Sequence, residues 1–150
     1  MTSNKLTANL LIDNNKALLN MSFLILRCLV GIILFVVGSG KVFGWFGGFG
    51  MVATIKGYSQ MGFSTLLTYL SSYTEFIGGL FITIGFLTRP ACIAVIINMT
   101  VATIVMLPNG FLGPSGASYP FAFLIITISI FIAGPMDYSV DNLLTRANQK

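Results

Sequence analysis

The stretch from Pro90 to Met136 contains no charged side chain, whereas a soluble domain of ordinary composition would carry roughly a dozen in that length. Charged residues make up 8% of the whole chain and hydrophobic residues 55%, with a mean hydropathy of +0.90. So few polar side chains cannot cover a water-facing surface, but a bilayer requires very little polar surface. The composition therefore predicts a membrane protein and excludes an ordinary soluble globule.

This charge-free stretch is too long for one membrane span, because about 20 apolar residues are enough to cross the bilayer. Turn-forming residues interrupt it between Pro108 and Gly116 and divide it in two. Two further apolar stretches precede it, the first of them an uncleaved span rather than a signal peptide because Arg27 interrupts its apolar core. Lys56 and Gln60 stand among apolar residues in a segment between those two, which predicts a short helix at the membrane interface. The predicted spans are Leu18–Phe43, Ser64–Leu87, Pro90–Leu107 and Tyr119–Met136, with the interfacial helix at Met51–Met61.

We therefore predict an all-α fold, an integral membrane four-helix bundle with a short interfacial helix between the first and second spans. Residues 1–20 are predicted to be a cytoplasmic N-terminal segment, residues 21–144 the bundle and residues 145–150 a cytoplasmic tail. Four spans place both termini and the turn between spans two and three on one side, and the positive-inside rule makes that side cytoplasmic. The cations assigned to it are Lys5, Lys16, Arg89, Arg146 and Lys150, against Lys56 and Lys41 on the other side.

Arg27 and Glu75 fall inside predicted spans, where an ionisable side chain costs at least about 2.5 to 3.5 kcal/mol on insertion scales. On the first helix Arg27 shares a face with Gly31, Gly38 and Lys41, and on the second helix Glu75 shares a face with small and polar residues. If these faces meet, either Arg27 or Lys41 neutralises Glu75. The pair then serves helix packing alone, or Glu75 carries a proton or orients a ligand. The small and polar residues beside Glu75 are Thr68, Ser71, Ser72 and Gly79.

The remaining polar residues give weaker signals. Asn98 lies on an alanine-rich face of the third helix, which favours an interhelical hydrogen bond over ligand binding. Cys28 and Cys92 are expected to be buried thiols rather than a redox pair. Thr88, Arg89 and Pro90 are predicted to form a tight cytoplasmic turn, and we hypothesise that Arg89 pairs with Asp137 or Asp141 there.

Histidine is absent from the sequence, which removes His-ligated haem, His-based zinc sites and histidine general bases. With a single intramembrane carboxylate a di-iron site is excluded as well, so we predict no metal site and no intrinsic cofactor. The cations are scattered singly, which argues against nucleic acid as a partner. Redox chemistry would thus require a borrowed cofactor or a lipid-soluble electron carrier such as a membrane quinone.

Several sequence runs resemble the DoxX family of small bacterial membrane proteins, over about Ser22 to Leu144. The resemblance implies a four-helix integral fold in the bacterial plasma membrane and an association with membrane redox chemistry or stress tolerance. By position, the polar residues that match the family pattern are Arg27, Lys41, Glu75, Thr88 and Arg89. The residues that match its C-terminal tail are Asp137, Ser139 and Asp141. Met106 and Ser118 depart from it, because many relatives have a histidine and an acidic residue there. The runs are R-C-L-V-G from Arg27, G-S-G-K-V from Gly38, E-F-I-G-G-L-F-I-T-I-G-F-L-T-R from Glu75, L-P-N-G-F from Leu107, Y-P from Tyr119 and G-P-M-D-Y-S-V-D from Gly134.

Two functions follow from these observations, and both stay open at this stage. The first is a membrane subunit of a quinone-linked or stress-related oxidoreductase system, which would hold a quinone against Arg27, Lys41 and Glu75 and serve a redox partner protein. The second is a membrane scaffold without catalytic activity, in which the buried charges only set packing. A solute carrier is disfavoured because no inverted repeat is visible. The lipid bilayer is the partner common to both, and homo-oligomers are compatible with either.

Overall fold

The computed structural model describes residues 16–147, and every regular element in that part of the chain is helical. The all-α prediction is therefore confirmed. Two of the helices, Lys16–Phe43 and the run Thr88–Asn109, are long and apolar enough to cross a membrane, and Ser118–Ala133 is apolar but shorter. The elements are α1 (Lys16–Phe43), a 3-10 turn (Trp45–Gly47), α2 (Gly50–Gln60), α3 (Thr65–Ile84), α4 (Thr88–Met106), a second 3-10 turn (Leu107–Asn109), α5 (Ser118–Ala133) and α6 (Val140–Ala147).

The helix bounds agree with the predicted segments to within one turn at each end. One helix was not predicted: α6 begins inside the predicted bundle domain and extends three residues into the predicted tail. The first fifteen residues of the predicted N-terminal segment, including Lys5, lie outside the described residues, and so does Lys150.

The tight turn between α3 and α4 lies three residues earlier than predicted. Gly85 ends α3 in the left-handed conformation (φ 70°), and Leu87 is also left-handed (φ 44°). Thr88, Arg89 and Pro90 instead form the first turn of α4. Proline is tolerated there because the first N–H groups of a helix have no intrahelical partner, so the same residues that suggested a turn begin a helix.

Side-chain burial differs from that of a soluble protein, because polar side chains are buried beside an apolar core and large apolar ones are exposed. Fully or almost fully buried polar side chains include those of Arg27, Thr68, Ser72, Glu75 and Thr127. Large apolar side chains face outward along the helices, which is the arrangement expected when the surrounding solvent is lipid. They include Ile25 (63% exposed), Leu66 (76%), Leu70 (64%), Ile97 (60%), Ile104 (65%) and Ile132 (73%).

The closest helix pair is α1 and α3, which meet through glycines. A methyl group added at Gly38 would lie 2.3 Å from the backbone nitrogen of Phe76, and one added at Gly79 would lie 2.5 Å from that of Phe35. Small residues allow this approach of two backbones, as in packed membrane helices. The predicted meeting of the Gly38 face with the Glu75 face is confirmed by these contacts.

The helices α1, α3, α4 and α5 alternate in direction, which gives the bundle two distinct ends. One end, here called the tail end, contains the α3–α4 turn and α6, because the backbone N–H of Asp141 donates to the carbonyl oxygen of Gly85 at 2.9 Å. The other, here called the loop end, contains α2 and the connection between α4 and α5. Helix α2 packs against both α1 and α3 at the loop end.

Candidate functional site

Glu75 on α3 is 4% exposed and forms an ion pair with Lys41, which lies in the last turn of α1. The Lys41 ammonium donates to Oε1 of Glu75 at 2.7 Å and lies 2.6 Å from Oε2. No other described residue donates to Oε2. The pair forms at this depth because Gly38, one turn before Lys41, contacts the backbone of Glu75 and Phe76.

Tyr58 of α2 and Asn98 of α4 complete the site. The Lys41 ammonium donates to the Tyr58 hydroxyl at 3.1 Å and lies 5.7 Å from the centre of its ring, within cation–π range. The Asn98 side-chain amide donates to Oε1 of Glu75 at 3.3 Å, so the expected interhelical hydrogen bond is present. We call Lys41, Tyr58, Glu75 and Asn98 the buried polar cluster. Four different helices contribute to it.

Beside this cluster lies a cavity of about 400 Å³ between α3 and α4, here called the Asn98 cavity. Its walls are mainly apolar, and its polar lining residues are Tyr58, Ser71, Thr74 and Asn98. The outward-facing Leu70 and Ile97 also line it, so an apolar molecule could enter from the side of the bundle. Its size and its few convergent polar groups are typical of small-molecule sites.

Tyr58 and Asn98 retain donors for a ligand in the Asn98 cavity. The Tyr58 hydroxyl accepts from Lys41, which leaves its own proton free to donate. The Asn98 amide has two N–H groups, of which Glu75 uses at most one. The cavity is thus suited to an apolar molecule with uncharged hydrogen-bond acceptors.

Arg27 does not join the buried polar cluster. Its Nη1 donates to the carbonyl oxygen of Pro135 at 2.6 Å and its Nη2 donates to that of Tyr138, at the tail end. Arg27 precedes Gly38 by about 16 Å along the helix axis at 1.5 Å per residue, which is too far for an ion pair at the level of Glu75. Of the two predicted counter-ions, Lys41 is therefore the partner, and Arg27 anchors the segment between α5 and α6.

Asp141 caps the N-terminus of α4 from another helix. Leu87, which precedes α4, offers no side-chain cap. The Asp141 carboxylate accepts from the backbone N–H of Leu87 at 2.8 Å, and from the backbone N–H and the hydroxyl of Thr88 at 2.9 and 2.8 Å. Burial raises the pKa of the Asp141 carboxyl, but these hydrogen bonds and the charge of Arg27 outweigh burial and hold the pKa below its ordinary value.

The Asp141→Ala variant is expected to lose about 1–2 kcal/mol of unfolding free energy at neutral pH, because the two backbone N–H groups lose their acceptor. The lowered pKa means that the contribution of Asp141 is complete above the ordinary pKa of a carboxyl. It decreases as the pH falls through the folded-state pKa. The melting temperatures of wild type and Asp141→Ala, measured in detergent, should therefore converge as the pH is lowered. Asp137→Ala is the control, since its ion pair with Arg146 is exposed and contributes little; an equal loss in both variants would contradict the capping role.

The hypothesised pairs of Arg89 are not present among residues 16–147. Asp141 binds the start of α4, and Asp137 pairs with Arg146 at 3.3 Å and accepts from Asn20. The Asp141 carboxylate lies against backbone N–H groups instead because they are unsatisfied helix donors. Arg89 thus forms an ion pair with neither Asp137 nor Asp141, although all three residues lie at the tail end.

The cysteines are free thiols, and they do not approach the buried polar cluster. Cys92 is buried and Cys28 is partly buried, with its sulfur 3.9 Å from the carbonyl oxygen of Thr83. Within residues 16–147 no three acidic or cysteine side chains come together as a set of metal ligands.

The family model for DoxX matches residues 22–108 of the sequence, more than half of its length. The chain belongs to the DoxX family. No curated protein and no solved structure matches it significantly. The match is shorter than the resemblance noted in the sequence, because it ends after α4. It includes Arg27, Lys41, Glu75, Thr88, Arg89 and Asn98, but not Asp137, Ser139 or Asp141.

Three features of this DoxX-family site were not identified in the sequence. Tyr58 lies on the interfacial helix that Lys56 and Gln60 predicted, but nothing in the sequence assigned Tyr58 itself to a site. Two turns of α2 place it beside Lys41. Met106, noted in the sequence only as a departure from the resemblance, lines the Asn98 cavity with an apolar side chain. The capping role of Asp141 also depends on tertiary contact.

Proposed function

We propose that this DoxX-family protein is a multi-pass protein of the bacterial plasma membrane, with α1, α3, α4 and α5 as spans and α2 at the outer interface. Both termini are cytoplasmic in this arrangement. Support comes from the outward-facing apolar side chains of these helices. The cations Lys16, Arg89 and Arg146 also lie at the tail end, whereas the loop end has Lys56 and the paired Lys41. The tail end is thus the cytoplasmic one by the positive-inside rule.

Cysteines at Ser115 and Thr145 are expected to label from opposite sides of intact spheroplasts. Both side chains are exposed, at the loop end and the tail end respectively. In a background with Cys28 and Cys92 replaced by alanine, an impermeant maleimide should react with the Ser115→Cys variant only, and with both variants after lysis. Labelling of both variants in intact spheroplasts would contradict this topology.

We further propose that the Asn98 cavity binds a membrane quinone, which makes the protein a membrane subunit of an oxidoreductase system. The observation that carries this proposal is the pair of free donors on Tyr58 and Asn98, in the wall of an otherwise apolar cavity that is accessible from the lipid side. A quinone is an apolar ring with carbonyl acceptors, which matches that lining. A charged metabolite does not, because only uncharged polar groups line the cavity.

The cluster residues have distinct roles in this proposal. Asn98 and Tyr58 donate to the ring carbonyls and orient the ring. Lys41 and Glu75 hold these two side chains in place, and the Lys41 ammonium, which donates to the Tyr58 hydroxyl, provides a proton donor one hydrogen bond away from the ligand. Bound quinone supplies the reversible electron and proton chemistry, and the protein supplies binding, orientation and exclusion of water.

Purification in mild detergent, followed by lipid extraction and mass spectrometry, tests the proposal. The protein should retain close to one quinone per chain, and the Tyr58→Phe/Asn98→Leu variant should retain about tenfold less, because each lost hydrogen bond costs about 0.5–1.5 kcal/mol. Tyr69→Phe and Thr100→Val are matched controls, since neither residue lines the cavity. Wild-type protein without quinone, or equal retention in both variants, would contradict the proposal and favour a scaffold role.

A further inference from the structure

A second opening lies along the same pair of helices. It is a groove of about 360 Å³ between α3 and α4, here called the Gly78 groove. Leu70, Thr74 and Ala94 line both the Asn98 cavity and the groove. The two spaces therefore adjoin each other along the helix pair, with the groove toward the tail end, and together they are here called the channel.

The channel changes in polarity along its length. The polar residues of the groove, Tyr73 and Thr74, lie nearest the Asn98 cavity. Beyond them the lining is entirely apolar and includes the small residues Gly78 and Ala91. Gly78 lies against α4, because a methyl group there would be 2.9 Å from Cγ2 of Val95. The remaining lining residues there are Ile77, Phe81, Leu87 and Pro90. A ligand that fits the whole channel has its acceptors at one end and a long hydrocarbon chain at the other.

The length of the channel indicates how long that chain is. Met106 lines the far end of the cavity and Pro90 the far end of the groove, and at 1.5 Å per residue α4 covers about 24 Å between them. This is most of the roughly 30 Å of a bilayer's hydrocarbon core. A short-chain ligand would leave the groove unfilled.

Resting on the quinone site proposed above, we propose that the Gly78 groove binds the hydrocarbon tail of a long-tailed membrane quinone, with its ring in the Asn98 cavity and its tail directed toward the tail end. A phospholipid fits this channel less well, because its charged headgroup must stay at the interface while the free donors of Asn98 lie two turns of α4 below Met106. The substrate class is thus a lipid-anchored quinone rather than a short-chain one.

The tail brings affinity through packing alone, since lipid is as apolar as the groove. We expect wild-type protein in nanodiscs to bind a long-tailed quinone about tenfold more tightly than a short-tailed quinone with the same ring, at equal mole fraction in the bilayer, equivalent to about 1.4 kcal/mol. Ile77→Trp narrows the groove from its exposed side, since Ile77 is 42% exposed and lines the groove but not the Asn98 cavity. It should remove this preference while short-tailed binding changes by less than about twofold.

Leu87→Trp provides a second test if Ile77→Trp is poorly folded. It narrows the far end of the groove, and Ile84→Trp is its control because Ile84 does not line the groove. Loss of the tail preference in Leu87→Trp but not in Ile84→Trp supports the inference. Equal binding of both quinones by wild type would overturn it and leave the ring site intact, whereas binding of neither would overturn the quinone site itself.

Native mass spectrometry distinguishes a quinone from a phospholipid as the molecule bound in the groove. Retention of one quinone per chain, displaced by added long-tailed quinone, supports the inference. The inference would be overturned by a retained phospholipid that Ile77→Trp releases and that added quinone does not displace, because the groove would then hold an acyl chain.

Discussion

The Lys41→Met variant is expected to lose about 3–5 kcal/mol of unfolding free energy, because it leaves a buried carboxylate without its counter-ion. Glu75 is 4% exposed and has Lys41 as its only ion-pair partner among residues 16–147. Asn98 alone, at 3.3 Å, does not replace an ammonium at 2.6 to 2.7 Å. Melting in detergent measures the loss, and Lys56→Met is the control because Lys56 is exposed and forms no ion pair in the described structure.

The Lys41→Met/Glu75→Leu variant separates packing from ligand binding. An apolar pair can replace a buried ion pair with little loss of stability, so the double variant should regain most of the melting temperature. It should still bind quinone poorly, because Tyr58 and Asn98 both lose the partner that fixes them. Recovery of both stability and quinone binding would contradict a functional role for this ion pair.

The Gly38→Ala variant is expected to be destabilised by about 3 kcal/mol, at the upper end of the usual cost of overpacking. Its methyl group would lie 2.3 Å from the backbone nitrogen of Phe76 and 2.7 Å from its Cα. Backbone atoms cannot rotate away as a side chain can, so α1 and α3 must separate next to the Lys41–Glu75 pair. Quinone retention should fall together with stability.

Gly57→Ala is the matched control for this substitution. Gly57 is a helical residue of α2, and a methyl group there has no neighbour within 4 Å. Alanine is favoured over glycine inside a helix by about 0.5–1 kcal/mol, so this variant should melt slightly higher than wild type. Similar melting temperatures for the Gly38 and Gly57 variants would contradict a close α1–α3 contact at Gly38.

The helices and the central carboxylate could be predicted from the sequence, because they depend on local properties. Apolar runs and their interruptions place α1 to α5 to within a turn, although they give no signal for α6, and a single acidic residue in an apolar stretch is conspicuous. The partner of Glu75 could not be predicted in the same way. Helical periodicity puts Arg27 and Lys41 on one face, but only the contact of Gly38 with Phe76 fixes which of them lies at the depth of Glu75.

The contributions of Tyr58 and Asp141 depend on how connecting segments fold back. Tyr58 reaches Lys41 only because α2 packs against α1 and α3. The sequence of an interfacial helix does not indicate which helices it packs against. For Asp141 the reason is seen only in the structure, where α4 begins after Leu87, which has no capping side chain. The Asp141 carboxylate satisfies the first N–H groups of α4 from another helix, and the sequence does not indicate that contact.

Photoaffinity labelling with a short-tailed, photoactivatable quinone tests the central claim most directly, because it reports where the ring binds. The quinone proposal predicts labelled peptides within residues 58–74 of α2 and α3 and residues 94–106 of α4, competed by unmodified quinone and absent from Tyr58→Phe/Asn98→Leu. Labelling that is spread over the lipid-facing surfaces of α1 and α5, at residues such as Ile25 and Ile132, and that excess quinone does not compete, would contradict a quinone site beside Lys41 and Glu75.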